Sequence, residues 1–130
     1  MVGDPIADFI TQLKNASLVR KEAVSIPYSK LKMAVAETLL KNGFIKSVEK
    51  RGKKIKKYID ITLKYNENHP EVTDVKRISK PGKRIYFGFK EIRSVKQGNG
   101  IMVISTPKGL LTDREAREQK VGGEVLFSIW

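Results

Sequence analysis

The sequence of 130 residues contains no cysteine and a single histidine, His69. Without thiols there is no disulfide framework, no thiolate nucleophile and no zinc site built on cysteine. One imidazole cannot supply repeated metal ligands. A Ser-His-Asp triad would rest entirely on His69, which has no acidic cluster at ligand spacing and reads as a surface residue. No apolar run approaches the ~20 residues of a membrane span. The start, Met1-Val2-Gly3-Asp4-Pro5, lacks the basic-then-apolar order of a signal peptide. The expectation is a soluble protein that stays where it is made.

Acidic residues are also scarce, 14 against 26 Lys+Arg, for a formal charge of +12. With 40% apolar residues the chain can still bury a core, as one domain or two small ones, so wholesale disorder is not expected. So much positive charge calls for a polyanion, and the commonest one in a cell is nucleic acid. A merely soluble basic protein would share the composition. Residues 1–65 carry 14 basic and 6 acidic side chains and residues 66–130 carry 12 and 8, so neither half is a charged tail.

Asp4-Pro5 reads as a helix start, because Asp accepts orphan amides of the first turn and Pro tolerates the first helical position. Ile6, Phe9, Ile10 and Leu13 then mark one apolar face of a helix reaching about Ser17. Residues 23–26 alternate as a short strand. Ser29 caps a second helix with the face Leu31, Ala34, Val35 and Leu39, stopped by Asn42-Gly43. Phe44–Glu49 and Tyr58–Leu63 form a hairpin, completing the order α-β-α-β-β. Its tip, residues 50–57, holds six cations in eight residues. Such a run suits either a solvated end kept soluble by lysine or a phosphate-contact surface. The polar, Pro-containing residues 65–71 read as a link between halves.

Beyond the link, Val72–Ser79 and Arg84–Gly88 flank Lys80-Pro81-Gly82-Lys83, a Pro-Gly turn expected to put Gly82 at positive φ and to close a second hairpin. Gly98-Asn99-Gly100 turns the chain into Ile101–Ile104, an apolar run fitting a strand buried on both faces. A loop at 105–109 follows. Thr112-Asp113-Arg114-Glu115 is a capping box for a short helix to about Lys120, which Gly122-Gly123 ends before a last strand, Glu124–Trp130. The loop Ser105-Thr106-Pro107-Lys108-Gly109 offers hydroxyls and amides to bases, sugars or phosphates, and Gly109 allows close approach. Glu124, an acid on a basic protein, accepts only from donors such as an amino group or a 2′-hydroxyl, so facing RNA it would select and not merely attract. A plain turn and an edge-strand glutamate would show the same pattern.

Ser105–Gly109, then Leu111-Thr112-Asp113-Arg114-Glu115-Ala116, then Gly122-Gly123-Glu124 closely resemble the C-terminal signature of the bacterial small-subunit ribosomal protein S-eight family. Asp4-Pro5-Ile6-Ala7-Asp8, Asn15-Ala16 and Lys76-Arg77-Ile78-Ser79-Lys80-Pro81-Gly82 match it in the same order. The resemblance spans nearly the whole chain, and several ordered motifs are far more specific than one. It implies an α+β fold of two small α/β domains, here residues 1–65 and 72–130, the second mostly antiparallel β with one short helix. It also implies a structural, non-enzymatic part of the small ribosomal subunit that binds the central domain of its RNA early in assembly. The partners implied are that RNA, neighbouring small-subunit proteins and, in many bacteria, the operon's own messenger RNA, which is repressed. No cofactor, membrane or small-molecule substrate is implied. The location implied is the cytoplasmic ribosome, or a plastid if organelle-encoded.

Carried over by position, the family's RNA contacts fall on Ser105, Thr106, Lys108, Gly109 and Glu124, with Gly122 and Gly123 beside them and Tyr86 as companion. Pro107 stands where the common family loop has a third hydroxyl, which removes a donor and a backbone N–H. The N-terminal domain is expected to touch RNA backbone through Asp4, Lys30, Lys54 and Lys56.

A generic basic DNA- or RNA-binding protein outside the ribosome is the rival. It would need a base-reading helix, yet the helix at 29–42 offers Lys30, Lys32 and Lys41, and Asn42 only at its end. For an enzyme, Gly98-Asn99-Gly100 lacks the third glycine and the Gly-Lys-Ser ending of phosphate-cradling loops.

Overall fold

The computed structural model describes residues 4–66 and 69–130; Met1–Gly3, at which the signal-peptide reading began, and the side chain of His69 lie outside the described set. The chain packs as two compact units, one of Pro5–Thr73 and one of Asp74–Trp130 with Asp4. Both are mixed α+β with antiparallel sheets. Among the described residues, no helix is long and apolar enough to cross a membrane.

In the first unit, α1 (Pro5–Leu18) buries Ile6, Phe9, Ile10 and Leu13, the face its spacing announced, and Ala16 one turn on. β1 (Ala23–Pro27) follows. α2 (Lys30–Lys41) starts where the Ser29 hydroxyl accepts the Lys32 amide at 3.1 Å, and Gly43 takes a φ of +82° after its end. The buried face of α2 differs from expectation. Val35, Ala36 and Leu39 are buried while Leu31 is exposed, because Leu31 and Ala34 lie on the opposite flank of Val35 from Ala36 and Leu39. β2 (Ile45–Lys53) and β3 (Lys56–Leu63) pair directly, with β1 on the other side of β3. Ile26, Ile59, Ile61 and Leu63 supply the sheet's buried face. Each such side chain stabilises by roughly 1.5–3 kcal/mol before entropy is counted.

The stretch read as a link holds a minimal pair, β4 (Tyr65–Asn66) with β5 (His69–Pro70), inside this first unit. The Tyr65 hydroxyl donates to the Lys21 carbonyl at 2.6 Å and ties the pair to the end of α1. Desolvation raises the Tyr65 phenol above its ordinary pKa.

The second unit contains β6 (Val75–Arg77), β7 (Tyr86–Phe87), a 3₁₀ turn at Phe89–Glu91, β8 (Ile101–Thr106), β9 (Gly109–Thr112), α3 (Asp113–Gln119) and β10 (Gly123–Ile129). The sheet order is β6-β10-β8-β9, and β7 also pairs with β10. Ile92, Ile104, Leu111, Ala116 and Val125 form a core cluster. Ile101 and Met102 are only half-buried, so the run 101–104 is not sheltered on both faces throughout.

The expected hairpin of 72–79 with 84–88 does not form. β6 meets Phe127–Ile129 and β7 meets Gly123–Glu124, so both arms lie along β10. The buried Ser79 hydroxyl explains the separation: it accepts from the Ile85 amide at 2.8 Å and donates to the Ile85 carbonyl at 3.1 Å, occupying groups a hairpin would have paired. Lys80 and Lys83 still bond across the Pro81-Gly82 turn, but Gly82 has no positive φ, so the turn does not require glycine. The capping box of α3 is present, with Thr112 and Glu115 bonding each other's amides at 3.2 and 3.0 Å. The left-handed stop falls on Lys120, at φ 56°, and not on the glycine pair.

Candidate nucleic-acid interface

The residues 105–109 are not a free loop. Ser105 and Thr106 end β8, Gly109 begins β9, and Thr106 pairs with Gly109 around a two-residue turn of Pro107 and Lys108. Gly109 needs its freedom for a φ of +100°, and the space a Cβ would take is open. The Thr106 hydroxyl donates to the Gly109 carbonyl at 2.8 Å and accepts from the Lys108 amide at 3.1 Å. Its one proton is therefore committed within the turn, and outward it offers only a lone pair. Pro107 and Lys108 are exposed.

β10 brings the rest of the edge together. Glu124 stands opposite Tyr86 of β7 on one side and opposite Ser105 of β8 on the other. Directly paired residues share a face, with strands about 4.8 Å apart, so a phenol, a carboxylate and a hydroxyl form one row. The glycine pair makes the row possible. A Cβ on Gly122 would sit 2.2 Å from the Phe87 carbonyl oxygen, and one on Gly123 would sit 2.0 Å from that of Ser105. Tyr86 is 66% exposed. No hydrogen bond among the described residues engages the Ser105 hydroxyl or the Tyr86 phenol.

Glu124 has a partner that sequence reading missed. Arg84 Nη1 donates to its Oε2 at 3.1 Å, with the side chains 48% and 19% exposed. Such a half-exposed pair is worth about 0.2–1 kcal/mol and mainly fixes orientation. The available signal was alternation: Arg84 lies two residues before Tyr86, on the same face of an extended segment.

The expected contacts nearer the N-terminus are placed differently. The carboxylate of Asp4 is engaged by Arg77, at 3.0 Å from Nε and 3.2 Å from Nη2, while Arg77 Nη1 donates to the Leu126 carbonyl. That arrangement braces the second unit. Lys30 is exposed at the first position of α2.

The strands run further into the basic hairpin tip than the expected ends at Glu49 and Tyr58: Lys50, Arg51, Gly52 and Lys53 pair with Ile59, Tyr58, Lys57 and Lys56, leaving Lys54-Ile55 as the turn. Lys50 Nζ stands 4.6 Å from the Tyr28 ring centroid, and the Arg51 guanidinium stands 5.1 Å from that of Tyr58. Arg51 also donates to Asp60 at 2.7 Å and to the Ser25 hydroxyl at 3.1 Å. Hydrogen bonds from Arg51 and then from Ser25 hold the Asp60 carboxyl below its ordinary pKa. Lys54 and Lys56 are exposed.

Residues 4–130 match the family described as Ribosomal protein S8. The protein named small ribosomal subunit protein uS8 from Mycoplasmopsis pulmonis is 48% identical over 130 residues, covering 100% of this chain and 98% of the relative. Its namesake from Lachnoclostridium phytofermentans is 49% identical over 131 residues, at 99% and 98% coverage. That of Thermus aquaticus is 44% identical over 138 residues, with both chains fully covered. With matching motifs, matching length and an α+β fold of antiparallel sheets, the chain belongs to the ribosomal protein S8 family, whose members are structural and not enzymatic.

Proposed function

We propose that the chain is a structural constituent of the small ribosomal subunit that binds the central domain of its RNA and helps it assemble. The observation that carries this reading is the row Tyr86–Glu124–Ser105, made possible by the Gly122-Gly123 backbone and flanked by the Thr106–Gly109 turn.

Duplex RNA hides its base edges in a deep, narrow major groove, so a small protein gains specificity where an internal distortion exposes them. The row presents a defined pattern to such a place. Ser105 and Tyr86 can donate, whereas Glu124 and the remaining lone pair of Thr106 can only accept. Glu124 thus prefers an exocyclic amino group or a 2′-hydroxyl and repels phosphate. Arg84 offsets part of that repulsion and aims the carboxylate. Lys108 and the lysines of the β2–β3 tip supply affinity by releasing counterions, without reading sequence. Lys30 adds to the same term.

The same surface takes a similar RNA fold in the operon's own messenger, which gives autogenous repression. Footprinting on isolated small-subunit RNA tests the reading. Protection is expected at one irregular helix of the central domain and resists scrambled competitor at moderate salt. Protection spread evenly along the RNA contradicts it.

A further inference from the structure

Ile55 is 94% exposed, more than any other large apolar side chain described, and it stands where cations are densest. The strand β1 ends opposite Tyr58 and the Tyr28 amide still donates to the Lys57 carbonyl at 2.9 Å, so the last pair of β2–β3, Lys53 with Lys56, and its turn project beyond the three-stranded sheet as a two-stranded ribbon. From the Arg51–Tyr58 pair to the Lys53–Lys56 pair the hairpin extends about 7 Å before its turn. Gly52, at a φ of +105°, lets the strands close up where a Cβ would lie 2.1 Å from the Lys56 carbonyl oxygen. Behind the ribbon, Lys50 and Arg51 are held by Tyr28, Tyr58, Asp60 and Ser25. At its end, no hydrogen bond or ion pair among the described residues engages the side chains of Lys53, Lys54, Lys56 or Lys57. Lys53 and Lys56 face each other across the ladder, a like-charge arrangement that destabilises the isolated hairpin.

We propose, building on the RNA-binding reading, that this ribbon docks across the minor groove of an RNA helix. Ile55 lies against ribose and base-edge surface, and the four lysines meet the phosphates on either side. The minor groove of A-form RNA is wide, shallow and lined with riboses, whose C–H faces accept an apolar side chain. That of B-DNA is only about 6 Å wide. Phosphates neutralise four clustered cations, whereas an apolar protein pocket would have to desolvate them. Charge therefore selects RNA over a protein partner, and the apolar apex distinguishes groove docking from plain attraction.

The test uses the full chain, a 20-base-pair RNA duplex and the DNA duplex of the same sequence, with binding followed by fluorescence anisotropy at several salt concentrations. Because Ile55 is outside every core, Ile55→Ala leaves folding intact. The variant is expected to weaken RNA binding about 3- to 10-fold with an unchanged salt slope, and to affect DNA little. Ile55→Lys, although it adds a cation, is expected to steepen the salt slope without tightening RNA binding. An Ile55→Ala affinity within about twofold of the parent, or an Ile55→Lys variant that binds RNA more tightly, overturns the proposal. So does an Ile55→Ala variant that binds duplex normally but is lost from assembled small-subunit particles, which would mean a protein partner. If Ile55 proves silent while the parent still prefers central-domain RNA to scrambled RNA, only this inference fails; a parent without that preference rejects the broader reading.

Discussion

Along the Tyr86–Glu124–Ser105 edge, polar atoms are held by backbone: strands on both sides of β10 set their spacing, a turn engages the Thr106 hydroxyl, and Arg84 steadies Glu124. Along the Lys53–Lys57 ribbon, backbone pairing ends at a two-residue turn, and Lys53, Lys54 and Lys56 are exposed on flexible stems. On the proposed function, the contrast matches what each region would recognise. A hydrogen bond to one base or ribose fails if its partner is misplaced by an ångström, whereas a phosphate can be met by an ammonium from many directions. On that reading, fixed geometry serves the selection of RNA and flexible charge serves holding it.

The largest expected effect comes from disturbing the fixed region. Gly123→Ala forces a Cβ against the Ser105 carbonyl, so the β8–β10 pairing must shift. A loss of about 2–3 kcal/mol in urea unfolding is expected, together with loss of RNA selectivity. An unchanged unfolding midpoint would show that the row is not held by close backbone packing. Removing charge from the ribbon has the opposite profile. Lys54→Ala with Lys56→Ala should leave the unfolding midpoint in place, weaken specific and scrambled RNA alike, and flatten the salt dependence of log K by about 1.4–1.8. A loss confined to specific RNA would make the ribbon a reader of sequence.

The smallest effect concerns the brace behind the ribbon. Asp60 has its pKa lowered by hydrogen bonds from Arg51 and Ser25, so its contribution to stability is present above the ordinary carboxylate pKa of about 3.9. It is lost as the pH falls through the lower folded value. Urea midpoints of the parent are expected to fall more steeply between about pH 5 and pH 2 than those of Asp60→Asn. Parallel curves would show that the exposed brace does not contribute.

Much of this organisation is visible in the sequence wherever local chemistry decides it. The α1 face, the Ser29 cap and the Thr112–Glu115 capping box depend on neighbours within a turn or two, and all three occur. The separation of β6 from β7 depends on the Ser79 hydroxyl and on β10, some forty residues away, so the expected hairpin was the natural local reading. Leu31 lost its place in the α2 face because three apolar residues, Val35, Ala36 and Leu39, set the buried side together. At the candidate site, the motif identified Ser105, Thr106 and Glu124 as a group. That Thr106 turns its proton onto Gly109, and that Arg84 reaches Glu124, depends on side-chain directions that no spacing specifies.

The most direct measurement is the ratio of affinities for central-domain and scrambled small-subunit RNA, determined at several salt concentrations for the parent, Thr106→Ala and Glu124→Gln. The account predicts that each variant loses on the order of 1–2 kcal/mol on the central-domain RNA only, while scrambled RNA binds equally well to Thr106→Ala and no more weakly to Glu124→Gln. Equal losses on both RNAs, or a ratio that does not move, would contradict it.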